Sequence, residues 1–432
     1  TNGSGSVTFS NGGKALLAGA FYADDFANND KQLFVAGAAG ATAGSVSVAG
    51  GTNALESTNG VLKGSVNTSG VIENVTLDRS AFDQDITMAS DPIKDLLFTA
   101  VEGTHVLDKT ALGARFLNNV GNGTSQSHGQ DAEAAARMAT FGGAVQAGFM
   151  AQQTSTDAVA ERLGMANPNS ALITSSNAQG GGLWIAPVYK NQDSDEFDAQ
   201  GVDYGADINL YGLALGADFT TESGVRVGAL FNLGSGDADG QGVGSTVSND
   251  FDYFGFTLYA GATFGNFALT ADAGFTQLSN DLEQSTYMGT LKADTDTTVT
   301  SVGLRGEYLF ATPMVDIVPH VGLRYTSLDL DSYDVQSEGG LLASTDADSL
   351  QVFSIPFGVT FSKDLAMGNW LVKPVFDLTL TANTGDDELD STTTFTGMQS
   401  VALSTEIMDS FTYGATLGIN AQYQESISFG LN

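Results

Sequence analysis

The strongest constraint on the fold is an alternation of large apolar with small or polar residues that recurs from about residue 181 to the end. It is clearest at 211–219, where Tyr, Leu, Leu, Ala and Phe alternate with Gly, Ala, Gly and Asp. Successive side chains of a strand point to opposite faces, so one face is apolar and the other is small and polar. A β-barrel in an outer membrane has this pattern, with lipid on one side and a polar lumen on the other.

The number of such segments favours a membrane barrel over a soluble β-fold, which also shows alternation in half-buried strands. Most segments are near the ~9–11 residues that a tilted strand needs to cross hydrocarbon. We predict about eleven of them, near 182–190, 208–219, 225–234, 251–264, 266–278, 298–309, 315–326, 349–362, 370–381, 411–422 and 426–432.

Composition restricts the possible partners. The 432 residues include 53 Gly and no Cys, which suits β-structure in an oxidising periplasm or at the cell surface. The net charge of -34 argues against nucleic acid as a partner and favours cations. No stretch approaches the ~20 apolar residues of a membrane helix. With only three His and no catalytic or zinc motif, we predict neither an enzyme nor a resident cofactor.

The connections alternate between long and short, which gives the predicted barrel an orientation. Barrels of this class keep long loops outside the cell and short turns in the periplasm, so the first strand is predicted to run outward. Long connections are predicted at 191–207, 235–250, 279–297, 327–348 and 382–410, and short ones at 220–224, 265, 310–314, 363–369 and 423–425.

The long connections carry most of the acidic residues and are predicted to be solvated surface loops. Asp237-Ala238-Asp239-Gly240 and Asp346-Ala347-Asp348 have the alternating carboxylates of a calcium loop, but without the remaining ligands of a twelve-residue site. Calcium at these loops is therefore an alternative reading. A second alternative is that divalent cations bridge lipopolysaccharide phosphates at the outer rim.

A helix is predicted before the barrel, over 131–163, because this stretch is rich in Ala and Gln or Glu, lacks Pro and starts with acidic residues. About 22 residues of helix span ~33 Å, the height of a bilayer. Gly142, Gly143 and Gly148 each weaken a free helix by up to ~1 kcal/mol. Such a helix needs surrounding walls, and a lumen of about twelve strands is wide enough for it. A surface helix between domains is the alternative.

Polar residues at inward-pointing positions are predicted to line the lumen. Buried charges must pair, and two arginines of the helix are available for this. His320 is predicted to be a wall residue rather than a ligand or a base. The predicted lumen residues are Asp218, Arg226, Asp272, Arg305, Glu307, His320, Arg324, Lys373 and Asp377, and the predicted helix contacts are Arg137, Gly142, Gly143, Ala147, Gly148 and Arg162.

The order of these parts resembles the translocator of a monomeric autotransporter of type V secretion. The resemblance rests on Gly-Leu-Trp-Ile at 182–185 and on the motifs at 211–218 and 413–421, and it covers roughly 126–432. It implies a twelve-stranded antiparallel barrel threaded by a helix that joins it to an exported passenger. It also implies insertion by the barrel-assembly machinery and periplasmic chaperones. The implied domains are a passenger at 1–125, a linker with the helix at 126–180 and the barrel at 181–432.

Two features depart from the family pattern. The chain stops at 428–432, inside what the pattern would make the penultimate strand, so we expect a trimmed sequence or a barrel closed in another way. Apart from the family pattern, Thr1 does not begin a signal peptide, so we expect a processed or trimmed form. Self-cleaving members carry paired Asn in the linker helix, whereas 131–163 contains none and Asn118-Asn119 lie outside it. We therefore expect the passenger to stay attached.

Residues 1–125 contain strand-like fragments at 45–49 and 70–77, typical of the coils of a parallel β-helix. Only a stub of ~3–5 coils fits this length. The predicted function is to export this segment and anchor it at the cell surface of a Gram-negative bacterium, with outer-membrane lipid and lipopolysaccharide around the barrel. The alternatives are an adhesive or structural surface protein, through self-association or a host ligand, and a solute pore.

Overall fold

The computed structural model describes eleven parts of the chain, and predictions that fall elsewhere, such as the turn at Asn118-Asn119, lie outside the described residues. The described parts are 7–10, 15–17, 46–49, 53–57, 62–66, 72–103, 126–165, 172–176, 182–286, 289–423 and 427–431.

The N-terminal part combines short strands with two helices. One parallel pair consists of β1 (Val7–Ser10) and β3 (Val46–Ala49), and a four-stranded sheet consists of β2 (Ala15–Leu17), β4 (Asn53–Ser57), β5 (Leu62–Val66) and β6 (Ile72–Leu77). The helices that follow are α1 (Arg79–Asp85) and α2 (Asp91–Gly103). The β-rich prediction for 1–125 is therefore wrong over 79–103. There, apolar residues recur every three or four positions, and Asp78 caps α1 by accepting a hydrogen bond from the Ala81 amide at 3.0 Å.

The predicted helix at 131–163 is confirmed, but the helical stretch begins earlier, at Gln126, and is broken into α3 (Gln126–Ala136), α4 (Met138–Phe141) and α5 (Ala144–Leu163). The second break falls at Gly142-Gly143, where Gly143 has a φ of 71°. Glycine enters this left-handed region without the steric cost that a Cβ imposes. Among the described residues, no helix has the length and apolar character needed to span a membrane.

The described strands after α5 form a closed barrel, and twelve of these eighteen strands make its wall. The strands are β7 (Leu172–Ser176), β8 (Gly182–Asp198), β9 (Asp203–Thr220), β10 (Arg226–Gly242), β11 (Val247–Phe264), β12 (Phe267–Thr286), β13 (Gly289–Tyr308), β14 (Phe310–Ala311), β15 (Asp316–Leu330), β16 (Tyr333–Ser337), β17 (Gly340–Ala347), β18 (Leu350–Ser362), β19 (Leu365–Met367), β20 (Trp370–Gly385), β21 (Glu388–Phe395), β22 (Ser400–Glu406), β23 (Phe411–Tyr423) and β24 (Ile427–Leu431).

The two ends of the barrel differ. At one end, called here the turn end, β14 and β19 lie in the connections between wall strands. At the other, called the hairpin end, the pairs β16–β17 and β21–β22 rise as hairpins and β17 also pairs with β21. The strand β7 pairs with β8 and was missed in the sequence, where its residues were assigned to the linker. The twelve wall strands are therefore β7 to β13, β15, β18, β20, β23 and β24. The wall closes through β7, which lies between β24 and β8.

The predicted long loops at 191–207, 235–250 and 279–297 are wrong, because the strands continue through most of them. β12 and β13 have 20 residues each and pair along their whole length. Twenty residues at ~3.3 Å with a tilt of ~35–45° rise roughly 50 Å, about twice the ~25 Å apolar band of a membrane barrel. The wall therefore extends well beyond the membrane at the hairpin end.

The residues that point outward are apolar in the lower part of the wall, toward the turn end, whereas those that point inward are apolar in the upper part, toward the hairpin end. In the lower part, Phe256 and Leu258 of β11 point outward and are 48% and 55% exposed, whereas Thr257 points inward and is 0% exposed. In the upper part, Leu278 and Leu282 of β12 point inward and are 0% and 1% exposed. Apolar residues face lipid below and face a protein core above. The alternation expected of a lipid-facing strand is consequently inverted in the upper part.

The faces assigned by parity are confirmed for Leu215, which is 42% exposed, and for Phe256. A Cβ at Gly255 would lie 2.7 Å from the Thr276 hydroxyl, and one at Gly216 would collide with the buried Trp184, so both glycines face the lumen.

Leu215→Arg and Phe256→Arg are each expected to destabilise the folded barrel by ~2–4 kcal/mol, because an arginine is costly at the lipid face near the bilayer midplane. Denaturant unfolding in lipid vesicles measures this free energy. Arg replacements at the outward-facing Asp237 and Asp239, which lie in the upper wall, are the controls and should have little effect. Unchanged stability of both Leu215→Arg and Phe256→Arg would contradict the assigned lipid face.

Candidate functional site

The lumen is occupied by α5, which packs against β8 to β13 and β15. Its small residues make this possible: Ala144, Ala147 and Ala151 are each 0% exposed. A Cβ at Gly148 would lie 2.9 Å from the Thr297 methyl group and 3.1 Å from a methyl of Leu328. The helix therefore lies against the wall with no room for a larger side chain at this position.

The break between α4 and α5 is also in close contact with the wall. A Cβ at Gly142 would lie 2.5 Å from Leu282, and one at Gly143 would lie 3.1 Å from the Ala206 methyl group and 3.3 Å from Ala238. The structure therefore places the predicted helix contacts Gly142, Gly143, Ala147 and Gly148 inside the barrel. The alternative of a surface helix is wrong.

The lower end of α5 is held by a buried ion pair. The Arg162 guanidinium donates to both carboxylate oxygens of Asp218 on β9, from Nε at 2.7 Å and from Nη2 at 2.9 Å. Both side chains are 0% exposed. The Tyr259 hydroxyl donates to the same carboxylate at 3.0 Å and accepts from the Trp184 indole at 2.9 Å. The expected pairing of Arg162 with a lumen carboxylate is thus present, in a network that spans three strands.

Neutral hydrogen bonds connect the middle of α5 to the wall. The Thr276 hydroxyl donates to the Gln152 side chain at 2.8 Å, and the Asn232 amide donates to Thr154 at 3.1 Å. Asn232 and Thr276 are both 0% exposed. Lys190 adds an ion pair to Asp157 at 2.5 Å. The helix is therefore bonded to the wall at several heights rather than only at its ends.

At the hairpin end, Arg137 pairs with Glu133 of α3 at 2.7 Å rather than with a charged wall residue. Its remaining nitrogens donate to acceptors at the hairpin end. These are the Ser404 carbonyl at 2.7 Å and the Thr405 hydroxyl, both on β22, and the Gln200 side chain in the β8–β9 connection at 2.7 Å. The other Glu133 oxygen accepts from the amide and the hydroxyl of Ser90, at 2.7 and 2.8 Å. This cluster connects α3, the hairpin strand β22, the β8–β9 connection and the segment before α2.

The sequence reasoning missed Glu133 and Ser90 as parts of this cluster. The signal available was Ser-Asp-Pro at 90–92, a typical helix start, followed by apolar residues at helical spacing.

His128 lies on α3, the helix that carries Glu133. Burial lowers the pKa of His128 to about 4, so that its ring is neutral at pH 7.

Several predicted lumen residues pair with one another rather than with the helix. Arg324 donates to both oxygens of Asp272, at 2.9 and 2.8 Å. Arg305 donates to Glu307 at 2.7 Å, and the other Glu307 oxygen accepts from the Met165 amide at 2.8 Å, just after α5 ends. Glu307 therefore holds the exit of the helix at the turn end.

The remaining predicted lumen residues include His320, which is paired in register with Glu307. His320 is bonded to Asp377 at 2.9 Å and its side chain is 1% exposed. Lys373 pairs with Asp364 of a turn-end connection at 3.2 Å, and Arg226 donates to the Thr220 hydroxyl at 3.5 Å. These three residues are thus bonded within the wall and its connections.

The acidic motifs considered for calcium lie on strands except for Asp348, which follows β17. Asp237 and Asp239 belong to β10 and point outward on either side of the buried Ala238, and Asp346 lies on β17. Among the described residues, no group of three or more His, Cys, Asp or Glu side chains is arranged to hold a metal ion. Calcium binding stays a prediction, now for an exposed strand face.

A closed antiparallel barrel with an apolar outer band and a helix bonded into its lumen defines a class of outer-membrane protein in which a barrel and a linker helix act together. The chain belongs to the autotransporter β-domain family, whose model matches residues 183–432. The predicted resemblance is thereby confirmed. The protein is an autotransporter translocator of the bacterial outer membrane.

Several solved structures are similar in fold. The translocator domain of NalP from Neisseria meningitidis shares 12% identity with a TM-score of 0.43, over 62% of this chain and 97% of that one. The β-domain of the Bordetella autotransporter BrkA shares 15% identity with a TM-score of 0.38, over 56% and 99%. The transport unit of AIDA-I from Escherichia coli shares 11% identity with a TM-score of 0.38, over 62% and 86%. No curated protein matches the sequence.

Proposed function

We propose that this barrel exports the chain on the N-terminal side of its lumenal helix to the cell surface and keeps it there, with the helix as plug and tether. The observation that carries the proposal is the direction of the helix. The Gln130 side chain on α3 donates to the Val243 carbonyl at 3.2 Å, at the hairpin end, whereas Met165 lies beside Glu307 at the turn end. Longer connections face outward in such barrels, so the N-terminal segment emerges outside.

The barrel itself has a non-enzymatic role, as expected for a translocator. The helix packed in the lumen argues against an open solute pore, because most of its side chains are buried against β8 to β13 and β15. The partners that we propose are lipid and lipopolysaccharide at the outer band, and the barrel-assembly machinery and periplasmic chaperones during insertion.

We also propose that the exported segment stays covalently attached. The helices α3 to α5 and the residues between them contain no Asn, so the paired Asn used by self-cleaving members is not available there.

An epitope inserted at the N-terminus should be accessible to antibody on intact cells, and intact-mass analysis of the extracted protein should find residues 1–125 joined to the barrel. An internal control epitope in the turn-end connection at 363–369 should be reached only after the outer membrane is permeabilised. An N-terminal epitope hidden on intact cells would refute the proposed export. A free barrel fragment that begins within 126–163 would refute the attachment.

A further inference from the structure

The segment 78–98, with α1 and the start of α2, packs onto α3 and the hairpin end of the barrel. Its apolar face is buried: Phe82, Ile86 and Ile93 are each 0% exposed. These residues belong to the same hydrophobic cluster as α3, the upper wall and the hairpin strands β21 and β22. We call this segment the cap. It lies in the region that the sequence assigned to the passenger, yet its buried contacts are with the barrel domain.

Contacts between the cap and α3 are specific as well as apolar. A Cβ at Gly129 of α3 would collide with Ile86 and would lie 3.3 Å from the Ala89 methyl group, and the closest heavy atoms it meets all belong to the cap. The Ser90 amide and hydroxyl both donate to Glu133, which is 0% exposed and also binds Arg137. One buried carboxylate thus joins the cap to the helix and, through Arg137, to β22 and the β8–β9 connection.

The cap docks at the hairpin end, above the part of the lumen that α5 occupies. The cap precedes α5 in the chain, so during export it must leave the lumen before its apolar face can meet α3. Docking is therefore possible only in the exported state.

We propose that the cap is a latch that docks on α3 after export and holds the lumenal helix in its final position. This inference rests on the proposed export function. Withdrawal of the helix toward the turn end would pull α3 into the lumen and strip the cap from it. That movement would return a buried apolar surface to water and leave Glu133 without its Ser90 donors, so it is opposed.

The test uses the full chain in intact cells, and since the protein has no Cys, single reporter cysteines are unambiguous. Ala89→Cys reports on the cap and Ala147→Cys on the lumenal helix, and both positions are 2% or less exposed. Each reporter is combined with Gly129→Leu, which forces the cap off α3, or with the control Thr87→Leu, which adds the same side chain at an exposed cap position. Ile93→Ala is a second disruptive variant that removes apolar contact from the cap side only.

Labelling by a membrane-impermeant maleimide is expected to be at least tenfold faster at position 89 and at least threefold faster at position 147 in Gly129→Leu and Ile93→Ala. In Thr87→Leu both rates should equal those of the parent. Unchanged labelling at position 89 in both variants would refute docking, and faster labelling at 89 with no change at 147 would refute the latch. An N-terminal epitope hidden on the same cells would instead refute the export function, which separates the two failures.

Discussion

Asp218→Ala is expected to lower the free energy of unfolding by about 3–5 kcal/mol, because it leaves the Arg162 guanidinium buried without its carboxylate. Arg162 is fully buried and donates to both oxygens of Asp218, so no water replaces the lost partner without a rearrangement of α5. The same change removes the acceptor of the Tyr259 hydroxyl. Denaturant unfolding of the barrel in lipid vesicles, followed by tryptophan fluorescence, measures the loss, since Trp184 belongs to this network.

Two controls separate the charge from the loss of packing. The double variant Arg162→Met/Asp218→Ala should recover most of the lost stability, because the unpaired charge is removed with its partner. Asp272→Ala, which breaks the other bidentate pair, should cost less, since the side chain of Arg324 is 18% exposed and keeps its bond to Ser301 at 3.0 Å. Equal costs for Asp218→Ala and the double variant would show that the buried charge is not the cause.

Gly143→Trp is expected to abolish correct assembly or export, with little or no folded, heat-resistant barrel in the membrane. An indole has no space there, because a single Cβ would already lie within about 3 Å of the wall. A Cβ at this φ of 71° also adds strain, and for L-residues the left-handed region costs roughly 1–2 kcal/mol. Surface display of the N-terminal segment and the heat-shifted band of the folded barrel are the measurements.

The matched control for this change is Gly201→Trp. Gly201 has a φ of 92° but a Cβ there would meet nothing within 4 Å. The control therefore carries the backbone strain without overfilling the lumen, and normal display is expected. Normal display of Gly143→Trp as well would contradict a helix threaded through the finished barrel.

The sequence was sufficient to predict the lower half of the barrel, because lipid imposes a rule that is local. A strand that crosses hydrocarbon must present apolar residues at every second position, and this can be read within ten residues, as at 211–219. The same rule assigned Leu215 and Phe256 to lipid, and the crowding of small residues at 131–151 placed a slender helix in the lumen.

The upper half was mispredicted because its rule is not local. Residues such as Leu278 and Leu282 are apolar because they pack against the lumenal helices, and the opposite face carries carboxylates because it meets water. In the sequence this part resembles acidic loops. The strand β7 was missed for a similar reason: it has only five residues, and one of its two neighbours, β24, is known only once the barrel is closed.

The sequence by itself determined the class of protein, the membrane-crossing faces and the presence of a small-residue helix, since each depends on periodicity or composition within one segment. Only the tertiary structure decided that Arg162 meets Asp218, that Ser90 meets Glu133 and that 78–98 docks on the barrel. The partners are 4 positions apart for Arg137 and Glu133, 56 apart for Arg162 and Asp218, and 43 apart for Ser90 and Glu133. The first pair is a helical neighbour pair, which a local pattern encodes. The other two depend on how the cap and the lumenal helix lie in the finished fold, which no local pattern encodes.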